Sequence, residues 1–199
     1  LDSSGEITFE FSRPVNRIGF IASHNAIAGY NVPGFPEGLM TIAGYDPGAF
    51  PFGVGNSLIT RVGLSDTDDL AGGDYRTAQQ ILAGNLDDVR GFDLVTNYGG
   101  LTETEYWSKL LEASAAINES PGNYNAFFRN SHSALNSMKR YADPSSTSFK
   151  PDWRLAPAAN VNVLPSMQDG GGGGGPPSVI IQNGVTYVRN ESGMLNFAD

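Results

Sequence analysis

The sequence predicts an α+β fold, in which an antiparallel sheet is packed by two or three helices and followed by a C-terminal β-hairpin appendage. Three patterns support this prediction. Residues 6–12 alternate polar and apolar side chains with a period of two, as in a half-buried strand. Residues 102–118 place apolar side chains at helical spacing behind a Thr-x-x-Glu capping box. Asn183-Gly184 separates two β-rich runs, which is a strong signal for a hairpin.

The other elements follow from local composition. Apolar or alternating runs predict further strands within 18–30, 57–62 and 91–98, and helix formers with suitable start and stop residues predict helices over 74–83 and 131–141. Residues 31–57 are dense in glycine, proline and aromatics. They predict an ordered loop with short strands, because prolines interrupt long ladders.

Six consecutive glycines, Gly170 to Gly175, divide the chain. Glycine loses the most conformational entropy on ordering, so such a run is typical of a linker. We therefore expect an α+β domain over 1–168, a Gly/Pro linker over 169–177 and a docking hairpin over 178–199. A single hairpin is only marginally stable in water, so the tail is expected to dock on other protein subunits or on a second copy of the chain.

Composition excludes several functions. The chain of 199 residues has 12 Lys and Arg against 21 Asp and Glu, a net charge of −9, which disfavours binding to phosphate backbones and hence to nucleic acid. There is no cysteine, which rules out disulfides, thiolate metal sites and a cysteine nucleophile. No apolar run approaches the roughly 20 residues of a membrane span. We expect no cofactor and no metal.

The strongest candidate for chemistry is Asn130-Ser131-His132-Ser133, at the predicted start of a helix. Unpaired N–H groups and the positive end of the dipole at a helix N-terminus stabilise a developing anion. If His24 of the second strand faces the same cleft, Ser131 and His24 would form a nucleophile–base pair. An Asp of the 66–74 cluster would then orient the imidazole. The alternative is that these serines cap the helix or allow close packing, and that His24 is a hydrogen-bonded core residue.

Four stretches together resemble a known family: Tyr106-Trp107-Ser108-Lys109-Leu110-Leu111, Ala115-Ala116-Ile117-Asn118, Tyr124-Asn125 and Asn130-Ser131-His132-Ser133. They look like the N-S-N-S modules of large bacterial surface and toxin-like proteins, over residues 100–142. That family is similar to circularly permuted papain-like folds, such as the NlpC-like peptidases and the lecithin retinol acyltransferase group.

The resemblance implies a papain-like, NlpC-like fold and a hydrolase of the peptidase or amidase type. It implies Ser131 as nucleophile, His24 as base, and Asn130 or a helix N–H as oxyanion support. Ser131 stands where relatives carry cysteine, and His132 replaces the second asparagine. Because a hydroxyl ionises far less readily than a thiol, these departures from the family leave two alternatives, an active hydrolase and its inactive descendant.

Acidic residues crowd a predicted turn, where Asp66 and Asp68 precede Asp69 and Asp74. Carboxylates bind Ca²⁺, but this spacing is not that of an EF-hand, and solvated turn residues are the simpler interpretation. Asp66, Asp68 and His132 are candidate binding residues.

Two functional hypotheses remain open. One is a papain-like hydrolase, active or degenerate, with a Ser–His pair. The other is a non-catalytic structural or binding module of a surface appendage or virion, which the acidic surface, the linker and the missing cysteine favour. Both place the chain in a secreted or extracellular assembly.

Overall fold

The computed structural model describes residues 5–14, 23–46, 57–122, 130–147, 149 and 161–164, and the backbone of 179–182, 185–189 and 195–198. Within these residues the fold is α+β, as predicted. Strands β1 (Ile7–Pro14), β2 (Ser23–Tyr30), β3 (Leu39–Tyr45), β4 (Ile59–Gly63) and β5 (Gly91–Leu94) form one antiparallel sheet with the order β4-β3-β2-β1-β5. Three helices pack on it: α1 (Gly72–Leu82), α2 (Glu103–Glu119) and α3 (Ser131–Ala142).

The helices cover both faces of this sheet. On the α1 face, Phe9 and Phe11 of β1 pack with Ala78 and Ile81 of α1. On the α2/α3 face, the core joins apolar side chains of the sheet and of both helices: Ile27, Ile42, Trp107, Leu110, Leu135 and Met138. Since successive strand residues point to opposite faces, each strand residue belongs to one of these two layers.

Helix α2 carries the apolar stripe that its sequence predicts. Trp107, Leu110, Leu111 and Ile117 are fully buried. The indole N–H of Trp107 donates a hydrogen bond to Thr8 Oγ1 at 2.8 Å, which satisfies the one polar atom of a large buried side chain. The Thr102–Glu105 capping box is present at the start of the helix, as predicted.

Strand β3 was not predicted as a central element. It lies between β2 and β4, and all seven of its residues are buried. The sequence around it, rich in glycine and proline, predicts an ordered loop with short strands, and 39–45 is a strand within that stretch. Its central position is not predicted, although the run Leu-Met-Thr-Ile-Ala-Gly-Tyr contains no proline and fits a strand buried on both faces.

The C-terminal strands form a separate three-stranded antiparallel sheet, β6 (Val179–Gln182), β7 (Val185–Arg189) and β8 (Leu195–Ala198), in sequence order. The Asn183-Gly184 turn and the whole predicted linker over 169–177, including the glycine run, lie outside the described residues. The hairpin appendage and its docking therefore stay predictions. Among the described residues, no helix combines the length and apolar character that crossing a membrane requires.

Candidate functional site

His24 belongs to a buried charged cluster on the α1 face. Its Nε2 lies 2.8 Å from Asp74 Oδ2, and Arg13 Nε donates to Asp74 Oδ1 at 2.5 Å. The hydroxyl of Tyr45 also donates to Asp74 Oδ2. Asp74, in the first turn of α1, is fully buried, so this one carboxylate ties α1 to β1, β2 and β3.

The electrostatics of the cluster favour an ionised Asp74. Burial opposes the charge, but the His24 imidazole and the Arg13 guanidinium outweigh burial and hold the pKa of Asp74 well below its usual range. Burial, and then the Asp74 charge, raise the pKa of Tyr45, so its hydroxyl remains a donor. A paired and hydrogen-bonded carboxylate of this kind is stable inside a core.

The predicted contact between the His24 imidazole and an Asp of the 66–74 cluster is confirmed, and Asp74 is the residue that makes it. The full burial of Asp74 and its contacts with Arg13 and Tyr45 are not predicted, because the sequence favours solvated carboxylates in this turn. The signal was present, because Asp74, Ala78 and Ile81 recur at i, i+4 and i+7, which puts Asp74 on the buried stripe of α1. A His–Asp pair can orient an imidazole for base catalysis. Within the described part of the chain, however, no serine or threonine hydroxyl is hydrogen-bonded to His24.

Asn130 and Ser131 begin helix α3 on the opposite, α2/α3 face. The side-chain oxygen of Asn130 accepts hydrogen bonds from the N–H groups of His132 and Ser133, at 3.0 and 3.2 Å. In turn, Ser133 Oγ accepts a hydrogen bond from the Asn130 N–H at 2.8 Å, which completes a capping box. The predicted oxyanion residue is thus the N-cap of α3.

Close packing of α3 on β3 fixes the position of Ser131. A Cβ atom added at Gly44 would lie 2.5 Å from the Cβ of Ala134 and 3.4 Å from the Cα of Ser131. The absent side chain of Gly44 therefore allows the first turn of α3 to approach the sheet. Ser131 itself is buried at this contact.

The predicted pairing of Ser131 with His24 is not formed. Ser131 lies with α3 on one face of the sheet, whereas the imidazole of His24 meets Asp74 under α1 on the other. Among the described residues, no histidine is hydrogen-bonded to Ser131. The reason is strand alternation, because Ile27 of β2 faces α2 and α3 while Ala26 and Ala28 face α1, and His24 shares the face of Ala26.

The histidine of α3 has a different serine partner. His132 Nε2 lies 3.4 Å from Ser23 Oγ, and both residues are buried. Asn25 lies two residues further along β2 on the same face, fully buried, and neither polar atom of its amide has a partner within the described residues. The sequence predicts His132 as a binding residue and assigns no role to Ser23.

A buried ion pair anchors the other end of α3. Lys139 Nζ lies 2.6 Å from Glu10 Oε1 and 2.7 Å from Glu10 Oε2, and it also donates to the carbonyl oxygen of Thr147 at 3.0 Å. Burial raises the pKa of Glu10, and Lys139 counteracts this only in part. The sequence does not predict this pair, although His132 and Lys139 are seven residues apart on one helical face.

The predicted binding residues Asp66 and Asp68 shape the turn before α1. Asp68 Oδ1 accepts from the N–H groups of Leu70 and Ala71, at 2.9 and 2.7 Å, and Oδ2 pairs with Arg61 at 2.7 Å. Burial by itself would raise the pKa of Asp68, but these hydrogen bonds and the Arg61 charge outweigh burial and lower it. The carbonyl oxygen of Asp66 accepts from Arg76 at 2.6 Å. The described residues contain no group of three or more His, Asp or Glu that could hold a metal ion.

Comparison with known proteins assigns no family. A scan against protein-family models finds no match, and searches of curated proteins and of solved structures find no similar chain. The N-S-N-S resemblance therefore stays a prediction.

Proposed function

We propose that this chain is a non-catalytic module of papain-like ancestry, serving as a structural or binding part of a larger secreted or surface assembly. One observation carries the proposal: His24 and Ser131 lie on opposite faces of the sheet. A nucleophile and its base need hydrogen-bond contact, about 2.6–3.2 Å or somewhat more without substrate. In this chain each residue takes part instead in a contact that holds a helix to the sheet.

The papain-like ancestry is supported by the start of α3. An Asn-Ser pair begins helix α3, which is what the resemblance implies. The first turn of this helix packs directly on strand β3. In this chain the asparagine caps the helix and the serine packs, so the motif serves structure.

Partner binding is supported by charge and by the C-terminal strands. A net charge of −9 keeps the chain soluble and favours basic or neutral protein surfaces as partners. Strand β8 is an edge of the three-stranded sheet, and edge strands pair readily with a strand of another chain. We include in the proposal that 178–199 contacts other subunits, including a second copy of this chain.

A fluorophosphonate probe that reacts with activated serines tests the absence of catalysis. The wild-type chain should remain unlabelled, and Ser131→Ala and His24→Gln should behave in the same way. A folded serine hydrolase serves as the positive control for the probe. Labelling that disappears in Ser131→Ala would overturn the proposal.

A second candidate function is a hydrolase with exchanged positions, in which the strand supplies the serine and the helix supplies the histidine. The 3.4 Å contact between Ser23 Oγ and His132 Nε2 favours it. The amide of Asn25, for which the described residues supply no hydrogen-bond partner, lies on the same face. The same probe separates the candidates, because labelling lost in Ser23→Ala and His132→Gln, but kept in Ser131→Ala, would select this one.

A further inference from the structure

A cavity of about 240 Å³ lies between the end of α3, strand β5 and helix α2. Its floor consists of the buried side chains of Glu10, Tyr106, Lys139 and Asp143. Exposed residues on two loops form its rim, so the cavity opens to solvent. It is separate from the His24 cluster and from the Ser23–His132 contact.

The lysine in this cavity does not make it an anion site. Lys139 Nζ contacts both carboxylate oxygens of Glu10 and the carbonyl oxygen of Thr147, so its three N–H donors are used. The Lys139 and Glu10 charges cancel. The remaining charge of the floor is the carboxylate of Asp143.

Asp143 is a buried carboxylate that no cation of the described residues contacts. Its Oδ1 accepts hydrogen bonds from Ser145 N–H at 2.8 Å and from Ser145 Oγ at 2.6 Å. Its Oδ2 has no hydrogen bond and no ion pair within the described residues. Asp143 is also the C-cap of α3, so the negative end of the helix dipole lies at the same place. Both features attract a positive group.

Tyr106 adds a hydrogen-bond donor to the floor. Its side chain is only 1% exposed, and its hydroxyl makes no hydrogen bond to another described residue. Burial, and then the charges of Glu10 and Asp143, raise the pKa of Tyr106 above its usual range, so the hydroxyl stays protonated. Thr96, Ser145 and Thr147 supply further hydroxyl groups around the rim.

We propose that this cavity binds a small hydroxylated amine, with its ammonium group at Asp143 and an oxygen atom at the Tyr106 hydroxyl. The ammonium supplies the positive charge that no described residue places at Asp143, and the hydroxyl-rich rim matches the hydroxyl groups of the ligand. The proposal rests on the binding function proposed above and names the ligand class of that module. The cavity volume suits a ligand of up to about the size of one sugar ring.

The test is a titration of the full chain with D-glucosamine, followed by ¹⁵N–¹H chemical shifts, at a pH where the amine is protonated. D-glucose, which carries a hydroxyl in place of the ammonium, is the matched neutral probe. We expect saturable shifts around Tyr106 and Asp143 with glucosamine, and glucose binding weaker by about tenfold or more, since a hydrogen bond to a charged group is worth about 1.5–3 kcal/mol.

Two variants probe the floor. Asp143→Asn keeps the Oδ1 acceptor for Ser145 and removes the charge, so it should weaken glucosamine binding by about tenfold or more. Tyr106→Phe removes a hydroxyl that has no hydrogen-bond partner among the described residues, so it should preserve the melting temperature and weaken binding several-fold. Asp88→Asn, at an exposed site, changes the net charge equally and should leave binding unchanged.

Equal binding of glucosamine and glucose, no saturable shift, or unchanged binding by Asp143→Asn would each overturn the ligand proposal. Those results would leave the non-catalytic proposal standing, because that one depends on serine labelling. Labelling of the chain would overturn the non-catalytic proposal without altering the glucosamine result.

Discussion

Ser23 and His24 are neighbours in strand β2, and their side chains lie on opposite faces of the five-stranded sheet. Ser23 contacts His132 of α3, whereas His24 contacts Asp74 of α1. Each contact ties one helical layer to the same strand. A shift of one residue in β2 would exchange the two faces, so this register decides which histidine can meet which serine.

Asp74→Asn should destabilise the fold by about 3 kcal/mol, because it leaves Arg13 and His24 without their buried anion. Because 18% of the Arg13 side chain is exposed, solvent partly compensates its charge. The loss in free energy of unfolding therefore lies at the lower end of the range for a broken buried ion pair. Chemical denaturation near neutral pH measures this. Asp88→Asn, with the same change of charge at an exposed site, should change stability little. A similar small effect of Asp74→Asn would contradict the cluster's structural role.

The difference in free energy of unfolding between the wild type and Asp74→Asn should depend on pH. The native pKa of Asp74 is depressed, so the unfolded chain binds more protons at low pH, and the stabilisation is fully present above the unfolded value of about 3.9. As the pH falls below about 4, the stability advantage of the wild type should shrink. Denaturation curves for both proteins at several acidic pH values measure this stability difference. A stability difference that stays constant below about pH 4 would argue against an ionised Asp74.

Gly44→Ala should destabilise the domain by about 1–3 kcal/mol, because its methyl group would overlap Ala134 in the first turn of α3. Thermal unfolding measures the loss. Gly5→Ala is the control, since a methyl there meets no atom within 4 Å. Adding Ala134→Gly to Gly44→Ala should recover part of the loss if the two methyl groups clash. A neutral Gly44→Ala would mean that α3 does not pack on β3 as described.

Trp107→Ala should cost about 3–5 kcal/mol, since the indole is fully buried and its N–H is bonded to Thr8. Leu86→Ala, at a side chain that is 49% exposed, should change stability little and provides the comparison. Equilibrium unfolding in urea measures both. Similar losses for the two variants would exclude Trp107 from the core.

Local patterns predicted the helices, strands β1 and β2 and the α+β class. The spacing of apolar residues and the helix-capping residues can both be recognised within short stretches of sequence. They could not predict which face His24 takes. Residues 24–30 of β2 are buried on both faces or nearly so, and such a strand lacks the alternation that distinguishes one face from the other. The Glu10–Lys139 pair joins residues 129 positions apart, and no local pattern reports a contact of that range.

The most direct measurement of the central claim is a nuclear Overhauser spectrum that follows the ring protons of His24. The structure places the His24 and Tyr45 rings with centroids 5.1 Å apart, and the five-stranded sheet lies between His24 and Ser131. We predict cross-peaks from the His24 ring to the Tyr45 ring and none to the Hβ protons of Ser131. Cross-peaks from the His24 ring to Ser131 Hβ would place the two residues on one face and contradict the account.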